Sequence, residues 1–509
     1  MKFELLVKLS LLAAYFAALI WIGFKCRRGA GSVDGFVLGG RSVGAWLTAF
    51  AYGTSYFSAV VFVGYAGQFG WKYGISSTWV GIGNALVGSL LAWIILGRRT
   101  RLLTQHLDSA TMPDFFAKRF DSSSLKLAAS AIIFVFLIPY TASLYNGLSR
   151  LFSMAFPGFS YSACIVVMAV LTAIYVIAGG YLATAINDFI QGLIMLGGLV
   201  ALIAAVLSSK GGFAAALDGL ARVTDPSVTS TPGIFTSFFG PDPLSLLFVV
   251  ILTSLGTWGL PQMVQKFYAI KNEDAIRKGT VISTLFAFVV AGGCYFLGGF
   301  GRLFGDRVDV AKEGFDAIIP AMLSGLGPGL IALTVILVLS ASMSTLSSLV
   351  ITSSSTLTSD FIKGTIAPRM SQKREVLIIR AFVVVFIAIS AVLAIMQHKS
   401  SVTFIAQLMG ISWGALAGAF LAPFMYGLYG RWVTRGAVWA SFAWGVGLTV
   451  VNMVLGNPIN PINCGAVAML GGMVVVPLVS LFTPKLPGEH LDAVFACYDK
   501  LYQSELKLG

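Results

Sequence analysis

Apolar runs of about twenty residues recur along the whole chain, separated by short polar or basic stretches. Coiled as an α-helix, a run of that length matches the hydrocarbon thickness of a bilayer. The pattern predicts thirteen crossings, at 5–24, 44–66, 76–97, 124–152, 161–179, 185–207, 244–266, 278–301, 326–357, 377–395, 401–427, 435–456 and 463–483. The expected fold class is therefore an all-α polytopic membrane protein with about 13 transmembrane helices.

Composition agrees: of 509 residues, 57% are hydrophobic and only 11% charged, whereas a soluble domain must cover itself with more polar surface than that. The net charge of +13 invites a nucleic-acid partner, but its placement argues against one. Lys and Arg gather between spans, as in Lys25, Arg27, Arg28 and Arg41, or Arg98, Arg99 and Arg101, or Lys266, Lys271, Arg277 and Lys278. An outside N-terminus puts about twenty-two of them in inside loops and the C-terminal tail against eight outside, the bias expected of cytoplasmic loops. The chain is thus expected in the cell membrane, N-terminus outside and C-terminus cytoplasmic. Residues 208–243 become an outer loop, with a short amphipathic helix at 213–223, and 484–509 a cytoplasmic tail too small for a catalytic domain. The first run is too long for a cleaved signal and lacks a small-residue cleavage pattern. Five scattered cysteines offer neither a zinc site nor a disulfide framework. The three histidines, His106, His398 and His490, fall in loops or the tail, so no enzyme is expected.

Three places depart from plain apolar helix. In 340–359, thirteen of twenty residues carry a hydroxyl. At about 100° per residue, Ala341, Ser344, Thr345, Ser348, Thr352, Ser355 and Ser359 form one stripe, opposite Leu339, Met343, Leu346, Val350 and Leu357. Such a stripe must face protein or water, and neutral oxygens suit a hard cation such as Na⁺. Serines that bond back to their own helix, or permit close packing, give the same pattern. Secondly, two spans look interrupted: AFAYGTSYFSAV (49–60) and TSLGTWGLPQ (253–262). They lie five spans apart and so cross in opposite directions, the mark of an inverted-repeat transporter; two packing kinks are the alternative. Thirdly, Asp188 sits about one turn inside a span, either as an interfacial acid or as a cation ligand. GIGNALVG (81–88) lies within a span and reads as helix packing.

Several stretches together resemble the sodium/solute symporter family, which holds sodium/proline, sodium/sugar and sodium/sialic acid symporters. These are DGFVLGGRSVG (34–44), TMPDFFAKRF (111–120), VIAGGYLATAINDFIQ (176–191), WGLPQMVQKFYAIKN (258–272) and SASMSTLSS (340–348). The resemblance implies a leucine-transporter-type inverted five-helix repeat. Its parts would be an extra helix and loop (1–43), a first repeat (44–207), the outer loop (208–243), a second repeat (244–427), two further helices (428–483) and the tail (484–509). It places Na⁺, the coupling ion, on the carbonyls of Thr54, Phe57 and Ala341 and the hydroxyls of Ser344 and Thr345. A second sodium site in some members matches Asp188, Thr345, Ser347 and Ser348. A solute site between the broken spans would draw on Tyr56, Ser58, Tyr140, Thr257, Trp258, Gln407 and Trp413. Tyr140 aligns with a tyrosine that sodium/proline members use near substrate. The chain departs from that subgroup at Tyr56, where its members are acidic, and at Thr253 and Thr257, where they are aromatic, so proline does not carry over.

The expected function is Na⁺-coupled import of a small organic solute, an amino acid or other small carboxylate, by alternating access. The partners are that solute and the lipid bilayer, with no nucleic acid and no obligate protein. A transporter-like solute sensor and a proton-coupled symporter with Asp188 as carrier are the alternatives.

Overall fold

A computed structural model describes residues 2–506 apart from 157, 159, 229–230 and 400–404; the start of the span expected at 401–427 lies outside the described residues. Among those described, ten helices are long and apolar enough to cross a membrane, or up to eleven counting the bent pair Pro243–Gly259 and Pro261–Ala269 as one span. Two of the ten, Val60–His106 and Tyr161–Ser209, contain 47 and 49 residues, more than twice the roughly 20 that one crossing requires. Inside the second, Gly180 adopts φ 56° and ψ −151°, a conformation that side-chain-bearing residues avoid. A Cβ there would also meet the Phe36 carbonyl oxygen at 2.9 Å. The helical path is interrupted between the spans expected at 161–179 and 185–207. Large apolar side chains such as Val166, Leu193, Val200, Leu285, Val384 and Phe482 point outward, as they can when lipid is the solvent.

The hydroxyl-rich helix Pro328–Ser355 is central, with every residue from Leu337 to Ser355 buried. It packs on Tyr161–Ser209, Ser123–Ala155, Gln372–Lys399 and Ala45–Tyr56. Burial on all sides satisfies the demand that polar groups at membrane depth face protein rather than lipid. Ile405–Tyr429, Arg435–Val454 and Pro461–Phe482 pack together beside this core.

Both expected interruptions are present. The helix Ala45–Tyr56 stops at Phe57, whose backbone is extended (φ −90°, ψ 113°). Pro243–Gly259 stops at Leu260 (φ −80°, ψ 122°), and the chain resumes as Pro261–Ala269 after a 46° bend. Proline suits that first position, because its fixed φ fits a helix start and its missing N–H loses no intrahelical bond. The entry to the first broken span and the exit from the second meet where the basic residues cluster. Val43 N–H donates to the Ala269 carbonyl at 3.2 Å and Lys271 N–H to the Val43 carbonyl at 3.0 Å. Arg101 secures the same turn through the carbonyls of Ile270 (3.0 Å) and Lys271 (2.7 Å). The short surface helix appears as Phe213–Ala221. The C-terminal segment is more than a tail: Gly488–Leu506 is helical and docks through a His106 Nε2–Ala493 carbonyl contact at 2.7 Å and an Arg431–Asp492 ion pair.

Candidate functional site

The extended turn at Phe57 decides the chemistry of the first break. Phe57 N–H still closes onto the Gly53 carbonyl at 3.2 Å, but the carbonyl of Thr54 accepts from another helix instead. It receives Ser344 Oγ at 3.0 Å and Thr345 Oγ1 at 3.1 Å. The same hydroxyls lie 3.0 and 3.1 Å from the Ala341 carbonyl, one turn back along their own helix. Four oxygens therefore share two protons, leaving a surplus of lone pairs in a fully buried cluster. Such a cluster is suited to a small hard cation. Thr54, Ala341, Ser344 and Thr345 are thus brought together as the sequence leads one to expect. Phe57 stands at the break itself, with its ring against Tyr56 and Phe286; among the described residues no hydrogen bond joins its carbonyl to the cluster.

The second set is assembled differently. Asp188 is completely buried, and among the described residues neither carboxylate oxygen has a hydrogen-bond partner. Ser347 Oγ donates back to the Ser344 carbonyl at 2.9 Å. Ser348 Oγ lies 2.7 Å from Ser55 Oγ, and it accepts from Lys266 Nζ at 2.9 Å. Lys266 was expected among the basic loop residues, at the very end of its span. It is instead 1% exposed and directed into the core. The one local clue to this was its position five residues after Pro261, inside the half-span that follows the break.

Of the residues proposed for solute, Tyr56, Tyr140 and Trp413 converge. Their rings lie 5.5 Å (Tyr56–Trp413) and 5.9 Å (Tyr140–Trp413) apart. Tyr56 is fixed by its hydroxyl on the Thr253 carbonyl at 2.8 Å. The Tyr140 hydroxyl and Trp413 Nε1 are buried donors that lie near each other, and among the described residues neither has a hydrogen-bond partner in good geometry. Ser58 caps the next stretch of chain by accepting from Val60 N–H at 3.2 Å. Thr257 and Trp258 donate to the carbonyls of Gly88 and Val87, each at 3.0 Å. Gln407 is half-buried on the Trp413 helix.

A small cavity of about 10 Å³, the scale of one water, lies beside the break and is lined by Tyr52, Tyr56, Asn84, Ser89, Thr257 and Ser283. Asn84 belongs to the GIGNALVG stretch read as packing. Its Oδ1 accepts from Ser254 Oγ at 3.1 Å, while its amide nitrogen has no partner in good hydrogen-bond geometry among the described residues. A lone Asn among small residues carries no periodic signal, which is why the pattern did not reveal it.

Residues 36–444 match the model of the sodium:solute symporter family. A sodium/proline symporter of Staphylococcus aureus is 28% identical over 496 residues, covering 95% of this chain and 94% of that protein. The same protein from strain JH9 is 29% identical over 497 residues, with the same coverage. Among solved structures, a substrate-bound, outward-open Na⁺-coupled sialic acid symporter superposes with a TM-score of 0.73 at 17% identity, covering 94% of this chain and 98% of that one. At that identity the likeness establishes the fold, the leucine-transporter type. The chain belongs to the sodium:solute symporter family and is a multi-pass membrane transporter that couples solute movement to Na⁺.

Proposed function

We propose that this symporter imports a small amino acid or other small carboxylate, and that its coupling Na⁺ sits on the carbonyls of Thr54, Phe57 and Ala341 and the hydroxyls of Ser344 and Thr345. The observation that carries the reading is the convergence of Thr54, Ala341, Ser344 and Thr345 across two helices almost three hundred residues apart in sequence. Na⁺ between the two helices would fasten the broken span to the hydroxyl-rich helix and order the break.

The solute is placed against Tyr56, Tyr140 and Trp413, with Ser58 at the rim. Two buried donors without a well-placed acceptor among the described residues, the Tyr140 hydroxyl and Trp413 Nε1, favour a ligand rich in acceptors, and a carboxylate is the simplest. The sodium/proline relatives support an amino-acid-sized solute. Because the adjoining cavity holds about one water, solute must enter when the helices around the breaks part. The assigned repeats, 44–207 and 244–427, would then rock against each other and release both cargoes on the basic, cytoplasmic side of the cell membrane. One Na⁺ crossing about 100 mV yields roughly 2.3 kcal/mol, and a tenfold gradient about 1.4 kcal/mol more. Together these sustain on the order of 500-fold accumulation of a neutral solute.

The test is uptake into proteoliposomes under an imposed Na⁺ gradient at clamped pH, with amino acids and simple carboxylates compared. Ser344→Ala with Thr345→Ala is expected to raise the Na⁺ concentration for half-maximal uptake at least about tenfold. An unchanged requirement in well-expressed double mutant would defeat the ion assignment, and binding without accumulation would identify a sensor.

A further inference from the structure

We propose that the ammonium of Lys266 is the resident cation of the Asp188–Ser347–Ser348 set, so that this chain moves solute with one Na⁺, and loss of Lys266 opens a place for a second. The proposal rests on the ligand assignment above only in taking the Thr54–Ala341–Ser344–Thr345 cluster as the remaining sodium site. It starts from an uncommon feature: all nine residues of Pro261–Ala269 are buried, a lysine included. The bend at Leu260 swings this half-span under the hydroxyl-rich helix, and Lys266 Nζ reaches Ser348 Oγ at 2.9 Å. The ammonium also stands 5.0 Å above the ring of Tyr181, which lies seven residues, about two turns, before Asp188 and so on the same helix face. Lys266 and Asp188 thus border one space without a direct hydrogen bond, since among the described residues both Asp188 oxygens lack a partner.

Two arguments set Lys266 against a second sodium ion. The first concerns lone pairs. Ser347 spends its proton on the Ser344 carbonyl, Ser348 shares its hydroxyl with Ser55, and Lys266 takes a Ser348 lone pair. Sodium on Ser348 would have to share that oxygen with an ammonium. The second concerns charge. Asp188 and Lys266 sum to zero in a buried, low-dielectric place, and a further cation would leave a net positive charge there, which is strongly disfavoured. With Lys266 removed the balance reverses, because a lone buried carboxylate demands a cation.

The experiment needs no solute. Thermal unfolding of the purified full-length protein is followed against NaCl at constant ionic strength, with choline as the replacement. The slope of stability against the logarithm of Na⁺ concentration counts the ions bound to the folded form. Wild type is expected to show a slope of about one ion and Lys266→Met about two, with Lys266→Met/Asp188→Asn returning to about one. A wild-type slope of two overturns the proposal whether or not any variant folds; so does a folded Lys266→Met with a slope of one. The two readings fail separately. If wild type counts two ions and Ser344→Ala/Thr345→Ala reduces this to one, the first site stands and the proposal for Lys266 falls. If the slope is one and that double variant keeps it, the first-site assignment falls.

Discussion

The two broken spans are built alike and used differently. Each ends its first half-helix at a residue in extended conformation, Phe57 in one and Leu260 in the other, and each resumes as helix. At the first break the chain presents a carbonyl, and two hydroxyls of the central helix converge on it. At the second it delivers a buried ammonium to the same central helix, one turn further on at Ser348. Similar backbone geometry therefore meets one helix with opposite electrostatics, an oxygen cluster that calls for a cation and a cation already supplied. Interrupted spans at matching places are typical of inverted-repeat transporters, and on the reading proposed above it is the side chains around each break that decide whether it takes an ion from solution.

The largest expected effects come from forcing a Cβ into each break. At Gly53 the new atom would lie 2.4 Å from the Phe286 ring, whereas at Gly259 it would lie 2.8 Å from Leu421 N and 2.9 Å from Ala417 Cα. Overpacking of this kind costs about 1–3 kcal/mol, and both alanine variants should lower the thermal midpoint and the uptake rate. The breaks differ in whether they can be repaired. Phe286→Leu should restore most of the stability of Gly53→Ala, since a side chain is in the way. No single trimming should rescue Gly259→Ala, because its obstruction is backbone. Thermal unfolding of the singles and of Gly53→Ala/Phe286→Leu measures this directly, and an equal rescue of both would mean that the breaks are interchangeable.

This difference also marks what could be read from sequence. The hydroxyl stripe, the glycines and proline at the breaks, and the apolar runs are local patterns with a fixed period, and each led to the right element. Asp188 was ambiguous between membrane surface and interior, and only packing made it fully buried. Lys266 was misplaced because charge near the end of an apolar run ordinarily marks a loop. Its burial depends on a bend at Leu260 and on Ser348, more than eighty residues away. Thr257 and Trp258 flank a break, but which way a helix rotates about its axis is set by its neighbours, so their hydrogen bonds to the carbonyls of Gly88 and Val87 could not be read from sequence.

A smaller effect probes the link between the two regions in the core. Ser55, one residue from Thr54, shares a hydrogen bond with Ser348, the acceptor of Lys266. Ser55→Ala removes one buried, neutral hydrogen bond, worth about 1 kcal/mol. If the oxygen cluster and the lysine are mechanically joined through Ser348, the Na⁺ concentration for half-maximal uptake should rise about fivefold. A change confined to thermal stability would show that the first break binds its ion independently of the second.

The smallest effect is expected at the basic end, where Val43 pairs with Ala269 and Lys271 and Arg101 holds the carbonyls of Ile270 and Lys271. Arg101→Gln deletes both charge-assisted bonds, but Lys271 is exposed and Arg101 only half-buried, so water can replace the lost donors there. The loss should remain below about 1 kcal/mol, with the Na⁺ requirement unchanged to within about twofold. Sodium-dependent uptake by Arg101→Gln proteoliposomes tests this. A tenfold change would place the coupling between the broken spans in their shared turn at the basic end, outside the ion cluster. The different chemistry of the two breaks would then matter less to transport than the strand-like bridge that ties them together.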